Sequence, residues 1–342
     1  MVYEDKMSLD KHVPLGDLIF LDEERCIQCA RCIRFESEIA GDDVLAFHER
    51  GRSLQIITVS DPAFDSYFSG NTTDICPVGA LTNADFRFGA RPWELTNVPS
   101  ICPHCPVGCN TSLSTRLDRD FNGRAMIKRV MPRQNEEVNE IWICDKGRYG
   151  HHFTRSDERL MQPMISGATA TWEAALAKVA DVLKTGGDVG VLAGPQLSNE
   201  DLWSLKKLVG ENARLGAWPP THGGIDLLSK VGVGAGTNLS HLGKGDAVLV
   251  IASDLEEEAP VWRLRIKVAH DRGAYLVVAN ARPTRMDEFA SATVRYEVGK
   301  AADALNNLDP EVARQLTEAN NLIIVAGAEG LTLDGSRALM QA

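Results

Sequence analysis

The chain has 342 residues, 44% of them apolar, and a formal net charge of −11, which suits two to three globular domains at roughly 150 residues each. The negative balance argues against nucleic acid and anionic lipid as direct partners. No run of about 18 apolar residues is present to span a bilayer, so any membrane association is expected to be indirect, through other subunits.

Met1-Val-Tyr-Glu-Asp-Lys is charged and has no apolar core, so it does not resemble an export signal. A reducing, cytoplasmic setting is expected, with thiols kept free. Short strands are predicted at Leu18–Leu21 and Leu54–Val59. A helix over Arg31–Ala40 leaves the loop Cys26-Ile-Gln-Cys29-Ala-Arg-Cys32. The fourth member of this set is Cys76-Pro77. A second set, Cys102-Pro-His-Cys105-Pro-Val-Gly-Cys109, is completed by Cys144, delivered by the apolar stretch Ile141-Trp-Ile143. The eight cysteines are thereby used without remainder.

Two such quartets read as two 4Fe–4S clusters. A C-x-x-C loop can wrap a cubane, so that three thiolates reach three iron corners while intervening N–H groups face the sulfides. A remote fourth thiolate then closes the site. In two-cluster bacterial ferredoxins a Cys-Pro follows soon after the third cysteine and serves the other cluster. Here that place holds Glu36-Ser37, so the partner must come from far away, at Cys76. Disulfides do not suit the expected compartment. Zinc ribbons need a second C-x-x-C about 15–20 residues on, which neither quartet has. Catalytic thiols are single and electropositive in setting rather than clustered. Ile27, Ile33 and Ile75 are expected to wall the first site. Arg25, Arg31 and Arg34 either offset cluster charge or are simply solvated.

Met161–Ala170, with Pro163 and Gly167, reads as a linker. Beyond it Thr171 can cap a helix whose apolar positions Trp172, Ala175, Leu176, Val179 and Leu183 follow the 3.6 period, ending at Gly186-Gly187. Ser198 can cap a second helix with Leu202, Leu205, Leu208 and Val209 on one face. Val189–Ala193, Ala247–Ala252, Leu276–Ala279 and Leu322–Ala326 read as buried strands, separated by helical segments such as Pro260–His270. This alternation predicts a doubly wound parallel α/β domain. The whole chain divides into 1–98, 99–165 and 166–342: a ferredoxin-like cluster domain of α+β type, a second cluster domain, and the α/β domain.

Through these motifs the chain resembles the large iron–sulfur subunit of bacterial respiratory complex I (NADH:quinone oxidoreductase). The matching segments are Asp10–Leu15, Cys26–Arg34, Gly70–Leu81, Cys102–Cys109 and Glu137–Gly150. More loosely, Gly245-Asp-Ala-Val-Leu-Val and Asp254–Pro260 also match. The resemblance implies that Cys26, Cys29, Cys32 and Cys76 hold a cluster on the main electron route. It implies that Cys102, Cys105, Cys109 and Cys144 hold an additional cluster off that route. It further implies flavin-side and quinone-side subunits as partners, and a place on the cytoplasmic face of the inner membrane. Family members begin with further cluster domains and continue beyond the region matched here, so the chain reads as an internal segment.

The rival reading is a molybdopterin enzyme such as a formate dehydrogenase, a relative with the same second quartet and α/β domain. There the lysine two places after the fourth cysteine lies between cluster and pterin, and Lys146 occupies that place; otherwise Lys146 only neutralises the cluster. No cysteine follows Cys144 to bind molybdenum, and nothing marks Ser240 or Ser253 for that role. The turn after Ala247–Ala252 carries Asp254, Glu256, Glu257 and Glu258, where a doubly wound sheet would receive a phosphate. These carboxylates suit a helix N-terminus but would repel a pyrophosphate, so the domain is expected to be an empty scaffold without molybdopterin. Gly232-Val-Gly-Ala-Gly236 is not G-x-G-x-x-G and reads as a surface loop. His104 is expected to tune the second cluster, His12 to bind nothing, and His151-His152 to be superficial and without companion ligands.

Overall fold

The computed structural model describes residues 8–119, 123–185, 189–210, 214–217, 223–231 and 238–342. The Met1 segment, Gly186-Gly187 and the Gly232–Gly236 loop lie outside the described residues.

The first part is built from small antiparallel sheets. β1 (Val13–Pro14) and β2 (Ile19–Leu21) precede α1 (Arg31–Arg34), which widens into a π-helical turn over Phe35–Ala40. β3 (Leu45–His48) and β4 (Gln55–Thr58) pair as a hairpin, and α2 (Asn71–Ile75) leads to β5 (Leu81–Asn83), which pairs with β2. Strand alternation sends Ile19 and Leu21 into a small core with Leu15, Val44, Ile56 and Leu81. The predicted strands and the predicted helix are therefore all present.

β6 (Thr96–Ile101), β7 (Asn110–Asp118) and β8 (Arg124–Pro132) form an antiparallel sheet in that order. The boundary drawn at 98/99 falls inside β6. Next comes α3 (Asp145–Tyr149), continued by a 3₁₀ turn over Gly150–Arg155. The expected linker is a hairpin instead: β9 (Met164–Ile165) pairs with β10 (Ala168–Thr169). Ser166 and Gly167 both take positive φ, 51° and 82°, as a two-residue primed turn requires.

The third part alternates as predicted: α4 (Trp172–Thr185), β11 (Gly190–Ala193), α5 (Asn199–Val209), β12 (Arg214–Ala217), α6 (Ile225–Val231), β13 (Ala247–Ile251), α7 (Leu255–Glu258), α8 (Pro260–Asp271), β14 (Tyr275–Asn280), β15 (Ala292–Arg295), α9 (Ala301–Asn306), α10 (Pro310–Thr317), β16 (Leu322–Ala326) and α11 (Leu333–Gln341). Thr171 Oγ1 accepts from Ala174 N at 3.3 Å, and Ser198 forms a capping box with Asp201. Four parallel strands lie in the order β15-β14-β13-β16. On one face Val248, Val250, Leu276 and Val278 pack against Leu264 and Ile266 of α8. On the other, Leu249, Ile251 and Val277 meet Ala301, Val312, Leu316 and Leu339. Both faces are covered along β13 and β14, so the sheet is doubly wound there, whereas β16, expected to be buried, is an edge strand with Ile324 55% exposed.

The run at 189–193 departs from expectation. β11 pairs only with β12 among the described residues, apart from the main sheet, and Leu192 is 67% exposed. Trp172, Leu176 and Val179 of α4 are exposed too. Their periodicity is helical, but no second layer among the described residues covers them.

α8 ties the α/β domain to both cysteine-bearing parts through unusually buried cations. Arg263 donates to Ala40 O at 2.8 Å and Asp42 Oδ1 at 2.9 Å, and Lys267 donates to Glu38 O at 2.8 Å. These carbonyls close the π turn after α1, where a helix C-terminus leaves acceptors unpaired and favours positive charge. Arg265 binds the Glu140 carboxylate and, at 2.6 Å, Glu136 O.

Candidate metal centres

In the first quartet the loop is curled by two non-glycine residues in left-handed conformation, Gln28 at φ 55° and Ala30 at φ 60°. Such residues cost on the order of 1–3 kcal/mol each and persist where the surroundings impose them. The curl, with Cys76 arriving at the end of α2, places all four cysteines on one small cavity. Gln28 N points to Cys26 Sγ at 3.4 Å, the kind of N–H donor a sulfur cluster uses. Leu21, Ile56, Ala80 and Leu81 supply the apolar wall. The isoleucines expected there are only partly involved: Ile27 lines the cavity but is 60% exposed, Ile33 packs on the small core, and Ile75 packs into the larger core. Of the arginines, Arg31 lines the cavity, whereas Arg25 pairs with Asp22 at 3.2 Å and Arg34 with Glu38 at 2.8 Å.

Cys102 ends the approach from β6, and its N–H donates to Cys109 O at 2.9 Å, closing the loop into β7. Cys144 caps α3, its sulfur accepting from Gly147 N at 3.4 Å. A Cβ at Gly147 would lie 3.2 Å from Cys102 Sγ and 3.0 Å from the Ile143 side chain, so this turn of α3 admits only glycine without displacement. Burial pushes the Cys32 and Cys144 thiols up to about 12. Burial also raises Cys109 strongly, and the sulfurs of Cys144, Cys102 and Cys105 add to it. Cys102, Cys109 and Cys144 lie in one buried cluster, with Cys105 packed against it. Without a cation such thiols stay protonated; as thiolates they need a polycationic core among them. Both donor sets fit an iron–sulfide core on that ground.

Lys146 is exposed. It acts electrostatically on Cys102 and His104, and lines a groove of about 920 Å³ with Gly16, Asp17 and Tyr67 of the first part. His104 is held below the usual imidazole range by burial and then by Lys146. Its ring meets Phe153 edge-on at 6.0 Å, while its backbone N–H partly offsets the burial that raises the Cys102 thiol. His12 stacks on Phe20. His151 is not superficial: it is 6% exposed, and Asp85, a neighbour that sequence reading missed, lies 3.9 Å from its Nε2.

The sequence reading also missed the lattice that joins the two remote cysteines. Asn71 of α2 donates to Ile143 O at 2.8 Å and accepts from Ile143 N at 3.2 Å. Asp145 accepts from Ser69 Oγ at 2.6 Å and Gly70 N at 2.8 Å. Arg148 pairs with Asp74 at 2.5 Å while 2% exposed. The helices carrying Cys76 and Cys144 are thereby fastened together. All these residues lie within the segments that carried the resemblance, or directly beside them, but their role depends on contacts about 75 residues apart.

At the crest of the α/β sheet, strand order reverses between β13 and β16, where an open α/β sheet places its ligand crevice. That crevice is filled. Gly327 N donates to Ile251 O at 2.9 Å, and a Cβ on Gly327 would fall 2.3 Å from Ala252 O. Arg282 is held by Asp254 at 2.8 Å and Glu329 at 2.6 Å. Glu257 binds Tyr67, and Glu258 accepts from Ser253 at 2.5 Å, so Ser253 is engaged. Ser240 lies before β13, at the opposite end of the strands, its carbonyl accepting from Arg272 at 3.1 Å. Among the described residues this crest does not fit a pterin dinucleotide: carboxylates and abutting backbone occupy the place of its phosphates.

The family model for molybdopterin oxidoreductase matches residues 159–341, more than half of the chain. The chain belongs to the molybdopterin oxidoreductase family. Two further models match its other parts: the ferredoxin-like domain of NADH-quinone oxidoreductase subunit 3 over residues 16–82, and the NDSU1/NuoG-like 4Fe–4S domain over residues 95–152. Ferredoxin-like iron–sulfur domains thus precede a molybdopterin oxidoreductase domain, and the chain is an iron–sulfur protein. Its curated homologues include subunits of NADH-quinone oxidoreductases. One from Streptomyces coelicolor is 37% identical over 84% of this chain and 37% of its own length. Subunit 3 of the Thermus thermophilus enzyme is 40% identical over 76% and 32%. The NADPH-Fe(3+) oxidoreductase subunit alpha of Geobacter sulfurreducens is 31% identical over 87% and 36%. The chain spans well under half the length of each of these relatives. Among the described residues no helix is long and apolar enough to cross a membrane.

Proposed function

We propose that the chain is an electron-transfer segment of an NADH:quinone oxidoreductase, holding two 4Fe–4S clusters. Cys26, Cys29, Cys32 and Cys76 ligate one, and Cys102, Cys105, Cys109 and Cys144 the other. When bound, each cluster supplies reversible one-electron chemistry at a potential set by hydrogen bonds to sulfur, charge and exposure. The protein's part is to hold the sulfurs, aim N–H groups at them and exclude water. The first site combines an apolar inner wall with an exposed ligand, Cys29, so it has a face open to an electron partner. The second is more enclosed, with three of its four cysteines buried, which suits a structural or off-route role.

In this reading the three divisions drawn from the sequence stand, with the first boundary moved ahead of β6 and the second ahead of the β9–β10 hairpin. The flavin-side and quinone-side iron–sulfur subunits are the partners, and the working location is the cytoplasmic face of the membrane. The convergence of all eight cysteines into two four-sulfur sets carries it. Family membership alone favours a molybdenum enzyme, and the closed, acidic crest of the α/β sheet opposes that.

Iron and acid-labile sulfide after anaerobic purification test the proposal: about eight of each per chain are expected for two cubanes, with one low-temperature paramagnetic signal lost in Cys29→Ser. Absence of iron, or an unchanged spectrum in that variant, refutes it. Stoichiometric molybdenum with formate turnover would establish the rival.

A further inference from the structure

Asp85, just beyond β5, meets His151 and His152 on the 3₁₀ turn after α3. One ligand atom from each lies within 4.8 Å of the other two. His152 Nε2 is 3.1 Å from Asp85 Oδ2 and His151 Nε2 is 3.9 Å from the same oxygen. The two imidazoles are stacked with centroids 4.5 Å apart, so both present the same edge to the carboxylate.

The hydrogen bonds around this group decide where its protons are. His151 Nδ1 faces Arg148 O at 3.3 Å. A carbonyl can only accept, so Nδ1 carries the hydrogen and the Nε2 lone pair is turned toward Asp85. The His151 lone pair then faces the Asp85 oxygen at 3.9 Å, and the proton on His152 Nε2, 3.1 Å from the same oxygen, occupies the place a cation would take. A backbone carbonyl fixing the outer nitrogen is also the usual support of a metal-bound histidine.

We propose that Asp85, His151 and His152 form a binding site for one divalent transition cation of the zinc class, separate from the cysteine quartets. Two imidazoles and one carboxylate suit zinc-like ions rather than magnesium or calcium, which favour all-oxygen sets. Solvent takes the fourth position at the His152 side, the more exposed of the two rings. Arg155 contacts His152 Nδ1, so on cation entry Arg155 gives up that nitrogen and the proton on His152 Nε2 passes through solvent to Nδ1, leaving a neutral imidazole to bind the ion through Nε2. The bound ion links the ferredoxin-like part to the turn after α3, across a seam already closed by Tyr149–Asn83 and Arg148–Asp74. The site does not depend on the quartets holding iron.

The test uses the complete, anaerobically purified chain with its native metal content, titrated with zinc ions. Calorimetry should show one site, weakened more than about tenfold by each of Asp85→Asn, His151→Gln and His152→Gln, since even residues supporting metal ligands cost about 10–100-fold. Arg155→Ala should tighten it. At the zinc K-edge, the loaded chain should show nitrogen and oxygen at about 2.0–2.1 Å with imidazole scattering, and no sulfur shell at about 2.3 Å. A sulfur shell alone would mean that zinc had entered a quartet, and would overturn the proposal. So would equal zinc affinity in wild type and His152→Gln, a partly exposed position whose change leaves the core intact.

Discussion

Arg263 sets the docking of the α/β domain onto the first cysteine-bearing part, and Arg263→Met tests that assignment. The guanidinium is 1% exposed and donates to Ala40 O and to Asp42, itself only 2% exposed. Methionine keeps much of the stem but supplies no donor. Losing the charge-assisted bond costs about 1.5–3 kcal/mol and orphaning the buried Ala40 carbonyl about 1–3 kcal/mol. Asp42 keeps Ser66 Oγ at 2.8 Å and Arg285 at 3.3 Å. The total should therefore sit near the lower edge of the about 3–5 kcal/mol typical of a broken buried pair, close to 3 kcal/mol. Anaerobic urea unfolding followed by far-ultraviolet circular dichroism measures it. In Arg263→Met with Asp42→Asn the two losses should fall short of additivity by more than about 1 kcal/mol, as coupled neighbours do. A single-variant loss below about 1 kcal/mol, or strict additivity, would show that α8 is held by its apolar face alone.

Burial holds the Glu36 carboxyl well above its ordinary value, against the Ser66 hydrogen bond that favours its charge. The folded chain then keeps a proton that the unfolded chain has released, so stability falls as pH rises from about 4.3 toward the raised folded value. Glu36→Gln should flatten that decline in unfolding free energy against pH; an unaltered slope would contradict it. Gly147→Ala, which forces a methyl toward Cys102 Sγ and Ile143, should remove about four of the about eight irons expected for two cubanes. It should spare the signal of the first site, as paramagnetic resonance would report. Gly327→Ala meets backbone rather than a movable side chain, so thermal unfolding should show a loss of at least about 1–3 kcal/mol.

Much of this architecture could be read from residue spacing. β2, β4, α1, β13, β14, β16 and the caps at Thr171 and Ser198 lie where periodicity and cap chemistry placed them, because local rules decide short elements. The burial of β11 could not be read so, since an apolar run tells that a strand wants cover and not which layer supplies it. The grouping of the cysteines was legible because cysteines are rare and their spacing is restrictive. Asp85 with His151 was illegible for the opposite reason: the two lie far apart along the chain, and neither carries a motif. Nor does a single arginine such as Arg263 announce that it will be buried; only the carbonyls closing the π turn after α1 explain it.

Because Asn71, Asp145 and Arg148 clamp α2 to α3, Cys76 and Cys144 are delivered by one rigid body. Under the proposed ligation, the last thiolate of each centre is positioned by hydrogen bonds that need neither core in place. Apoprotein is therefore already shaped at both remote cysteines, and either centre can mature while its neighbour is empty.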